Sequence, residues 1–488
     1  MELSDKSGVN VILTYQDFLK AKDRVKFIAE AITDHRNSLD YKIAQDAELY
    51  ERQENSTINS VVRYIYSAAG TKIEDPTTSN NKLASNYFHR LNTQRVSYLL
   101  GNGISFTDHV KTVTSPETGE PIQIDETKDT LGDDFDTRTY QTVYSGEILG
   151  KSYCYVTYDS KYGYNYYLFP FTEFVPLLDE NDGELMVGIR FWSLDWNKRP
   201  VTAVLYEVDG FTTYKSKAAN ALDFEETEGK RGYNIKTVST DAMGEEVIGY
   251  ENHFSALPIV PYYGRNKKST LIGMKASIDA HDLIQSGFAN DLQDCAQIYW
   301  LIGGSLGMDD SKLKEFREKL LFQHIGVADL DNSSVTPYTQ QVPHEARTAF
   351  LRQIRNSIYE AFGALDVTNL YNGDRTATEI EAAYEALEQE TDDLEARVTD
   401  FIRRLLKLIG IEDMPVYKRN RISNQLEQTQ MIIMAAEHLS ERAVLEKLPW
   451  ITVDEIDRIL AEKSNEVDNL SESVDNDVNE TPLDGDAL

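Results

Sequence analysis

The stretch TATEIEAAYEALEQETDDLEARVTDFIRRLLKLIG, Thr376 to Gly410, constrains the fold more than any other part of the chain. Thr376 and Glu379 form a capping box, which predicts a helix starting at about Ala377. Ile380, Tyr384, Leu387, Leu394, Val398, Phe401, Leu405 and Leu408 recur at near-heptad spacing, so one side of that helix is apolar. At 1.5 Å per residue the rod is roughly 50 Å long. Acids crowd its first two-thirds, while Arg403, Arg404 and Lys407 stand near its end, the polarity that the helix dipole favours. The rod holds no ligand set and no catalytic pair, and its apolar seam needs a partner from this chain or from another copy. Before it, Asp366 to Thr376 reads as a short loop in which Gly373 permits a turn back.

The rest of the chain divides by hydrophobic period. The first fifty residues read as helices, with Thr14 and Asp17 opening one and Asp34 or Asn37 capping a second that ends near Glu54. After the polar EDPTTSNN, a helix is predicted over Lys82 to Leu100, stopped by Gly101 to Gly103. Residues 107–132 read as a loop or edge hairpin. From Lys151 the period becomes two: Tyr153 and Tyr155 alternate with Cys154 and Val156. Further strands are predicted at Met186 to Trp192, Thr202 to Val208 and Phe211 to Tyr214, the last two joined by an Asp209-Gly210 hairpin turn. Residues 150–262 are thus an antiparallel sheet region, whose many tyrosines read either as a base-stacking platform or as an aromatic-rich sheet face. Helices return over Leu271 to Ile302, with Ile284, Phe288, Leu292, Cys295 and Tyr299 on the apolar side, and over His344 to Leu365, with Phe350, Ile354, Ile358, Phe362 and Leu365. Between them stand a short helix and strands near Ile325 to Leu330 and Val335 to Thr339. Residues 424–461 read as short helices. The final SNEVDNLSESVDNDVNETPLDGDAL carries acids and no base, the composition of a disordered tail. The fold class is α+β, mainly helical, with an antiparallel sheet.

Charge narrows the function. With 81 acids against 49 bases the net charge is -32, which opposes a general DNA grip but not a surface past which DNA slides. Cys154 and Cys295 match neither a disulfide framework nor a metal spacing. The N-terminus has no signal-peptide pattern, and no run approaches the ~20 apolar residues of a membrane span. The expectation is a soluble, intracellular, acidic protein with no membrane partner.

Motifs for chemistry fail on inspection. SGEILGKS, Ser145 to Ser152, imitates a phosphate-binding loop, but Ser145 occupies the first glycine position. A helical pattern precedes it and a strand pattern follows, the reverse of the required order. The eight histidines include no H-E-x-x-H pair, and His281-Asp282 reads as part of a polar helix face. Asp133, Asp134 and Asp136 could hold Mg²⁺ in a nuclease, yet such clusters are common in so acidic a chain. No cofactor and no enzyme activity are expected.

The order of segments resembles the portal proteins of tailed bacteriophages, of the type in long-tailed phages of Gram-positive bacteria. The resemblance rests on NNKLASNYFHRLNTQRVSYLLGNGISF, GEILGKSYCYVTYDSKYG, LPIVPYYGRNKKSTLIGMKASIDAHDLIQSGFANDLQD, TATEIEAAYEALEQ and YKRNRISNQLEQTQMIIMAAEHLSERAVLEKLPWITVDEIDRILAEK, in that order. In the third segment Asp279, Ser286, Asn290 and Asp291 stand at matching places. It implies a portal fold: wing (1–270 with 378–410), stem helices (271–298 and 344–365), clip (299–343), tunnel loop (366–377), crown (411–463) and acidic tail (464–488). It implies a twelvefold homo-oligomeric ring at one capsid vertex of the virion, assembled in the host cytoplasm, through which double-stranded DNA is packaged and ejected. The implied partners are the packaging terminase, head-completion or adaptor proteins, scaffold and the major capsid protein. Leu370, Tyr371, Asn372, Gly373 and Asp374 would form the DNA-facing loop tip. Arg352 and Arg355 lie opposite Phe350 and Ile354, where they would centre the duplex or pair with acids of the next subunit. The rivals are a shell or adaptor protein without DNA contact and a metal-dependent nuclease.

Overall fold

The computed structural model describes residues 13–66, 71–75, 78–114, 121–240, 246–251, 254–294, 299–303, 334–338, 344–367 and 377–419, with isolated residues 434, 436, 444, 445 and 459. The chain divides into two compact units, Met1–Asp366 with Glu385–Arg419, and Val367–Tyr384 with Asn420–Leu488. The second lies largely outside the described residues, as do Cys295, the predicted strand at 325–330 and the acidic tail.

The first unit opens with α1 (Tyr15–Lys20), α2 (Arg24–Asn37), α3 (Leu39–Glu51) and α4 (Ser56–Asn59). The Thr14–Asp17 capping box forms as the sequence predicts. The cap between the next two helices is neither Asp34 nor Asn37: both lie within α2, and the extended Ser38 takes the Tyr41 N–H. A small ribbon, β1 (Tyr64–Tyr66) with β2 (Lys72–Glu74), leads to α5 (Tyr87–Leu100), whose end is turned by Gly101 and the positive-φ Gly103. The 107–132 region holds the hairpin β4 (Val110–Thr114) and β5 (Pro121–Asp125), then α6 (Glu126–Leu131). β3 (Ile104–Phe106) precedes the hairpin and pairs far along the chain with β18 (Pro415–Tyr417).

α7 (Phe135–Leu149) runs into β6 (Lys151–Asp159) through Gly150 at φ 87. The phosphate-loop imitation is therefore a helix end, with Lys151 paired to Asp40 at 2.6 Å. One sheet orders β14 (Glu246–Glu251), β13 (Asn234–Thr240), β6 and β15 (Ile259–Tyr263), with β7 (Gly163–Pro170) also on β6. The other orders β12 (Phe224–Arg231), β11 (Gly210–Ala219), β10 (Pro200–Glu207), β9 (Leu185–Trp192) and β8 (Phe174–Leu178). All the pairings are antiparallel except β13 with β6, a short parallel contact that the sequence did not signal.

β6 alternates as predicted, but both of its faces are buried. Tyr153 meets Phe174 and Tyr155 meets Tyr206 on the second sheet, whereas Cys154 faces Thr142 of α7. The tyrosines are thus the core between layers: Tyr153, Tyr155, Tyr166, Tyr206, Tyr233 and Tyr262 are all buried, leaving no stacking platform among them.

Three long helices follow, α8 (Leu271–Asp294), α9 (His344–Phe362) and α10 (Ala377–Ile409), the last belonging to the first unit from Glu385 on. α8 stops short of the predicted Ile302, because Tyr299–Gly303 forms β16 and pairs with β17 (Ser334–Tyr338). The β-branched and aromatic content of Tyr299 to Ile302 suits a strand better than a helix end. α10 is described from Ala377, with the predicted cap residue Thr376 outside the described residues, and Gly410 at φ 88 ends it. Its seam is buried at Tyr384, Leu387, Leu394, Val398, Phe401 and Leu405, with Thr391 in the gap donating its hydroxyl to the Leu387 carbonyl.

Candidate functional site: the clamped ends of the 367–384 excursion

Leu370, Tyr371, Asn372, Gly373 and Asp374 lie outside the described residues. What the structure describes is how the chain leaves and re-enters the first unit on either side of them. α9 ends at Gly363, whose φ of 65 turns the chain back so that Ala364 N–H reaches the Tyr359 carbonyl. A side chain there would press on Glu390, since a Cβ would sit 2.6 Å from its Cγ. Gly363 is needed both for the turn and for the approach of α10.

Past that turn, α5 holds the chain. The Gln94 amide accepts from Leu365 N–H at 3.0 Å and donates to the Leu365 carbonyl at 2.9 Å, as a neighbouring strand would. The next residue, Arg95, is 6% exposed at its side chain. Its guanidinium donates to the Phe362 carbonyl, lies 3.8 Å from the centre of the Phe362 ring, and pairs with Glu390 of α10 at 3.3 Å. Arg265 shares Glu390 at 3.1 Å. Burial lowers the Arg95 pKa from its ordinary value, and the opposing fields of Glu147 and Glu390 favour its charge. One turn further along α5, Tyr98 donates to Glu388 of α10 at 3.2 Å.

The two predicted channel arginines separate here. Arg355 pairs with Asp366 of its own chain at 2.8 Å and lies against the Tyr359 ring. Arg352 is exposed and makes no ion pair with a described residue. Phe350, placed by the pattern on the apolar side of α9, is 45% exposed, and burial on this helix concentrates at Ile358, Tyr359 and Phe362.

Helix α8 departs furthest from its pattern. Its expected apolar side is poorly covered: Leu292 is 55% exposed, and Ile284 and Phe288 are only half-buried. Its buried side is apolar at Leu271, Met274 and Ile278 and turns polar beyond them, at Asp282, Ser286 and Asn290. Ser85 N–H donates to Asp282 at 3.1 Å, Leu83 N–H to Ser286 at 2.9 Å and Asn81 N–H to Asn290 at 2.6 Å. Two residues of extended chain advance ~6.7 Å, and four residues of helix ~6 Å, so alternate N–H groups meet successive turns. This is why residues 82–85, predicted helical, are extended, with the helix starting only at Tyr87. Asp282 also accepts from Asn55 at 2.5 Å and stands 3.2 Å from His281, so that pair is a buried joint, not a solvent-facing polar surface. Beside it, Lys275 reaches Asp46 and Tyr50 at 2.9 Å, while Thr57 donates to Asp279 at 2.8 Å. Burial opposes the Lys275 charge, but Tyr50 and Asp46 outweigh it and raise its pKa.

α10 is fixed to the sheet by a buried group of the same kind. Arg397 binds Glu147, and Tyr262 donates to Glu147 at 2.7 Å. Gly146 admits the Tyr262 ring, which a Cβ would meet at 2.2 Å. Asp136, considered above for Mg²⁺, is occupied by Lys128 at 2.9 Å.

Polar side chains at these joints pin segments together and leave no reactive arrangement among the described residues. The sequence marked Asp279, Ser286 and Asn290 by resemblance, whereas the helix predicted to Leu365 ends at Phe362, turned by Gly363. Gln94, Arg95 and Glu390 gave no signal, because their partners are distant in the chain.

The family model for phage portal proteins of the SPP1 Gp6-like type matches residues 32–469. A portal protein of Clostridium phage phiCD119 is 24% identical over 421 residues, covering 82% of this chain and 88% of its own length. The portal protein of Bacillus phage SPP1 is 23% identical over 411 residues, covering 80% and 77%. A chain from the neck of an empty GTA particle, computed with C6 symmetry, is similar at a TM-score of 0.40 and 13% identity, over 74% of this chain and 88% of that one. With its model matched across nearly the whole of the described structure, the chain belongs to the SPP1 Gp6-like family of phage portal proteins.

Proposed function

We propose that copies of this chain form a twelvefold ring whose axial channel carries the phage genome, with α8 and α9 as the stem and residues 366–377 as the loop nearest the DNA. Membership of the family makes the chain a structural, non-enzymatic component of the phage capsid that works as a portal ring at one vertex. The finer reading keeps the regions expected from the sequence: wing 1–270 with 378–410, stem 271–298 and 344–365, clip 299–343, crown 411–463 and tail 464–488. The clip meets the terminase and then head-completion proteins, and scaffold and major capsid protein surround the ring during assembly in the host cytoplasm.

The observation that carries the reading is the clamp. α5 holds the chain on the N-terminal side of 366–377 at Leu365 and Phe362, and holds α10, which follows it, at Glu388 and Glu390. Leu370, Tyr371, Asn372, Gly373 and Asp374 are the DNA-facing residues in this reading. Arg352, exposed and without an ion pair to a described residue, is the better channel cation; Arg355 serves the loop base through Asp366. A wall of chains each at -32 would repel the duplex, so a few cations suffice to centre it without gripping.

Cryo-electron microscopy of the chain co-expressed with its scaffold protein tests this. Rings should have a hole wide enough for a duplex, with 366–377 pointing to the axis. Closed shells, or rings with 366–377 on their outer surface, would overturn the reading.

A further inference from the structure

Residues 55–107 break with the charge of the rest of the chain. Their only acids are Glu74 and Asp75, set against Arg63, Lys72, Lys82, Arg90 and Arg95. Over the whole chain acids outnumber bases 81 to 49, so the local sign is reversed here. The β1–β2 ribbon lies inside this stretch and is poorly covered. Lys72, Ile73 and Glu74 are all exposed, as are Val62 and Tyr64 on the other strand's side. Tyr64 stands opposite Glu74 and Ile65 opposite Ile73, so Tyr64 and Ile73 occupy opposite faces. Apolar groups therefore meet solvent on both faces, with Tyr64 49% and Ile73 47% exposed. The Lys72 ammonium lies 3.8 Å from the centre of the Tyr64 ring. The chain entering the ribbon is tied to the α8-bound segment, since Asn80 donates to the Val61 carbonyl at 3.3 Å and Lys82 to the Asn59 carbonyl at 2.5 Å.

We infer that the β1–β2 ribbon docks on a second copy of this chain, the neighbouring subunit of the portal ring, burying Val62, Tyr64 and Ile73 and turning Lys72 and Lys82 toward that copy's acids. A two-stranded ribbon is marginal in water and gains its stability from a further layer against its apolar groups. Charge selects the layer. Copies that each carry -32 repel one another, and the repulsion is relieved where a locally basic surface meets an acidic one. A ring contact is heterologous, so one patch of a subunit meets a different patch of the next, and the reversed sign of 55–107 supplies such a pair of unlike patches. Exposed tyrosine, valine and isoleucine also suit a protein interface better than a phosphate grip, which takes a denser set of lysines and arginines. The inference goes beyond the channel reading: it needs the ring, and it does not need 366–377 at the axis.

The test compares the unassembled full-length chain with purified rings by hydrogen–deuterium exchange. In rings free of DNA and of other proteins, the amides of Tyr64–Tyr66 and Lys72–Glu74 should exchange about tenfold or more slowly than in the unassembled chain. Val62→Ser combined with Tyr64→Ser should lower the share of chain in rings about tenfold by native mass spectrometry. Circular dichroism and melting of that variant before assembly should match wild type, because both side chains are exposed. Lys72→Glu should weaken rings at low salt, and its effect should fade at high salt. The exchange measurement uses the wild-type chain and stands even if the double variant misfolds. Exchange in the ribbon that assembly leaves unchanged would overturn the inference, as would a folded double variant that forms rings at wild-type yield. Protection that appears only when duplex DNA or the major capsid protein is added would overturn it too, and would assign the ribbon to that partner. Closed shells in place of rings would sink the ring reading and this inference together, whereas rings with an unprotected ribbon would sink this inference alone.

Discussion

The molecule contains two long helices that bury one side by opposite means. α10 does so with an apolar seam interrupted by Thr391, whereas α8, after an apolar start at Leu271, Met274 and Ile278, does so over its second half with Asp282, Ser286 and Asn290, Leu283 and Leu292 being exposed. An apolar seam is non-directional: it gains in proportion to area, and neighbouring registers gain almost as much. A row of hydrogen bonds is directional, and shifting the 81–85 segment by one residue would part all three N–H donors from their acceptors. α10 is thus held by quantity of contact and α8 by register. Where apolar contact must also be exact, the chain adds a polar pin, as at Arg397 with Glu147.

The contrast can be broken experimentally. The largest loss should follow Phe401→Ala on the α10 seam, ~3–5 kcal/mol by denaturant titration, since the ring is buried at 1% exposure. A loss under ~1 kcal/mol would mean that this seam is not a core. Asp282→Ala should cost ~2–4 kcal/mol, because Asn55, Ser85 N–H and His281 lose their common partner. Amide exchange should accelerate at Ser85 and Leu83 in that variant, whereas protection of α10 should be unchanged. Equal loosening of both helices would remove the distinction.

Beyond Gly410 the seam gives way to another polar clasp. Asp413 accepts from Thr127 at 2.6 Å, from Asp108 N–H at 3.0 Å and from Met414 N–H at 2.7 Å, with His109 at 3.1 Å. Burial works to raise its pKa, but these donors together lower it to about 2. A carboxyl depressed in the folded state contributes stability that is whole above its ordinary pKa near 4 and is lost as pH falls toward 2. Asp413→Asn should therefore cost ~1.5–3 kcal/mol at pH 7 and flatten the acid limb of the melting profile between pH 4 and 2. An unchanged acid limb would show that the carboxylate is not held as described.

The smallest effects sharpen the comparison most. Ser286→Ala should cost ~1 kcal/mol, the worth of one neutral bond to a buried N–H. Thr391→Val, which removes a hydroxyl bonded only back to its own helix, should stay within ~1 kcal/mol of wild type. A larger cost at Thr391 than at Ser286 would reverse the assignment of apolar and polar helices.

Local signals read correctly wherever the chain's own neighbours decide the outcome. The Thr14–Asp17 box, the seam of α10, the Asp209-Gly210 hairpin and the reversed context of SGEILGKS all rest on residues within a few positions of each other. The portal family was legible too, because it lies in the order of segments along nearly the whole chain. Tertiary structure alone decided the polar second half of α8's buried side, the non-helical 82–85 segment and the grip of Gln94 and Arg95 on Leu365, Phe362 and Glu390. The physical reason is shared. Hydrophobic periodicity reports area that a helix can bury by itself, but a buried hydrogen bond is specified by a partner about two hundred residues away, and nothing local in either segment records which donor it will meet.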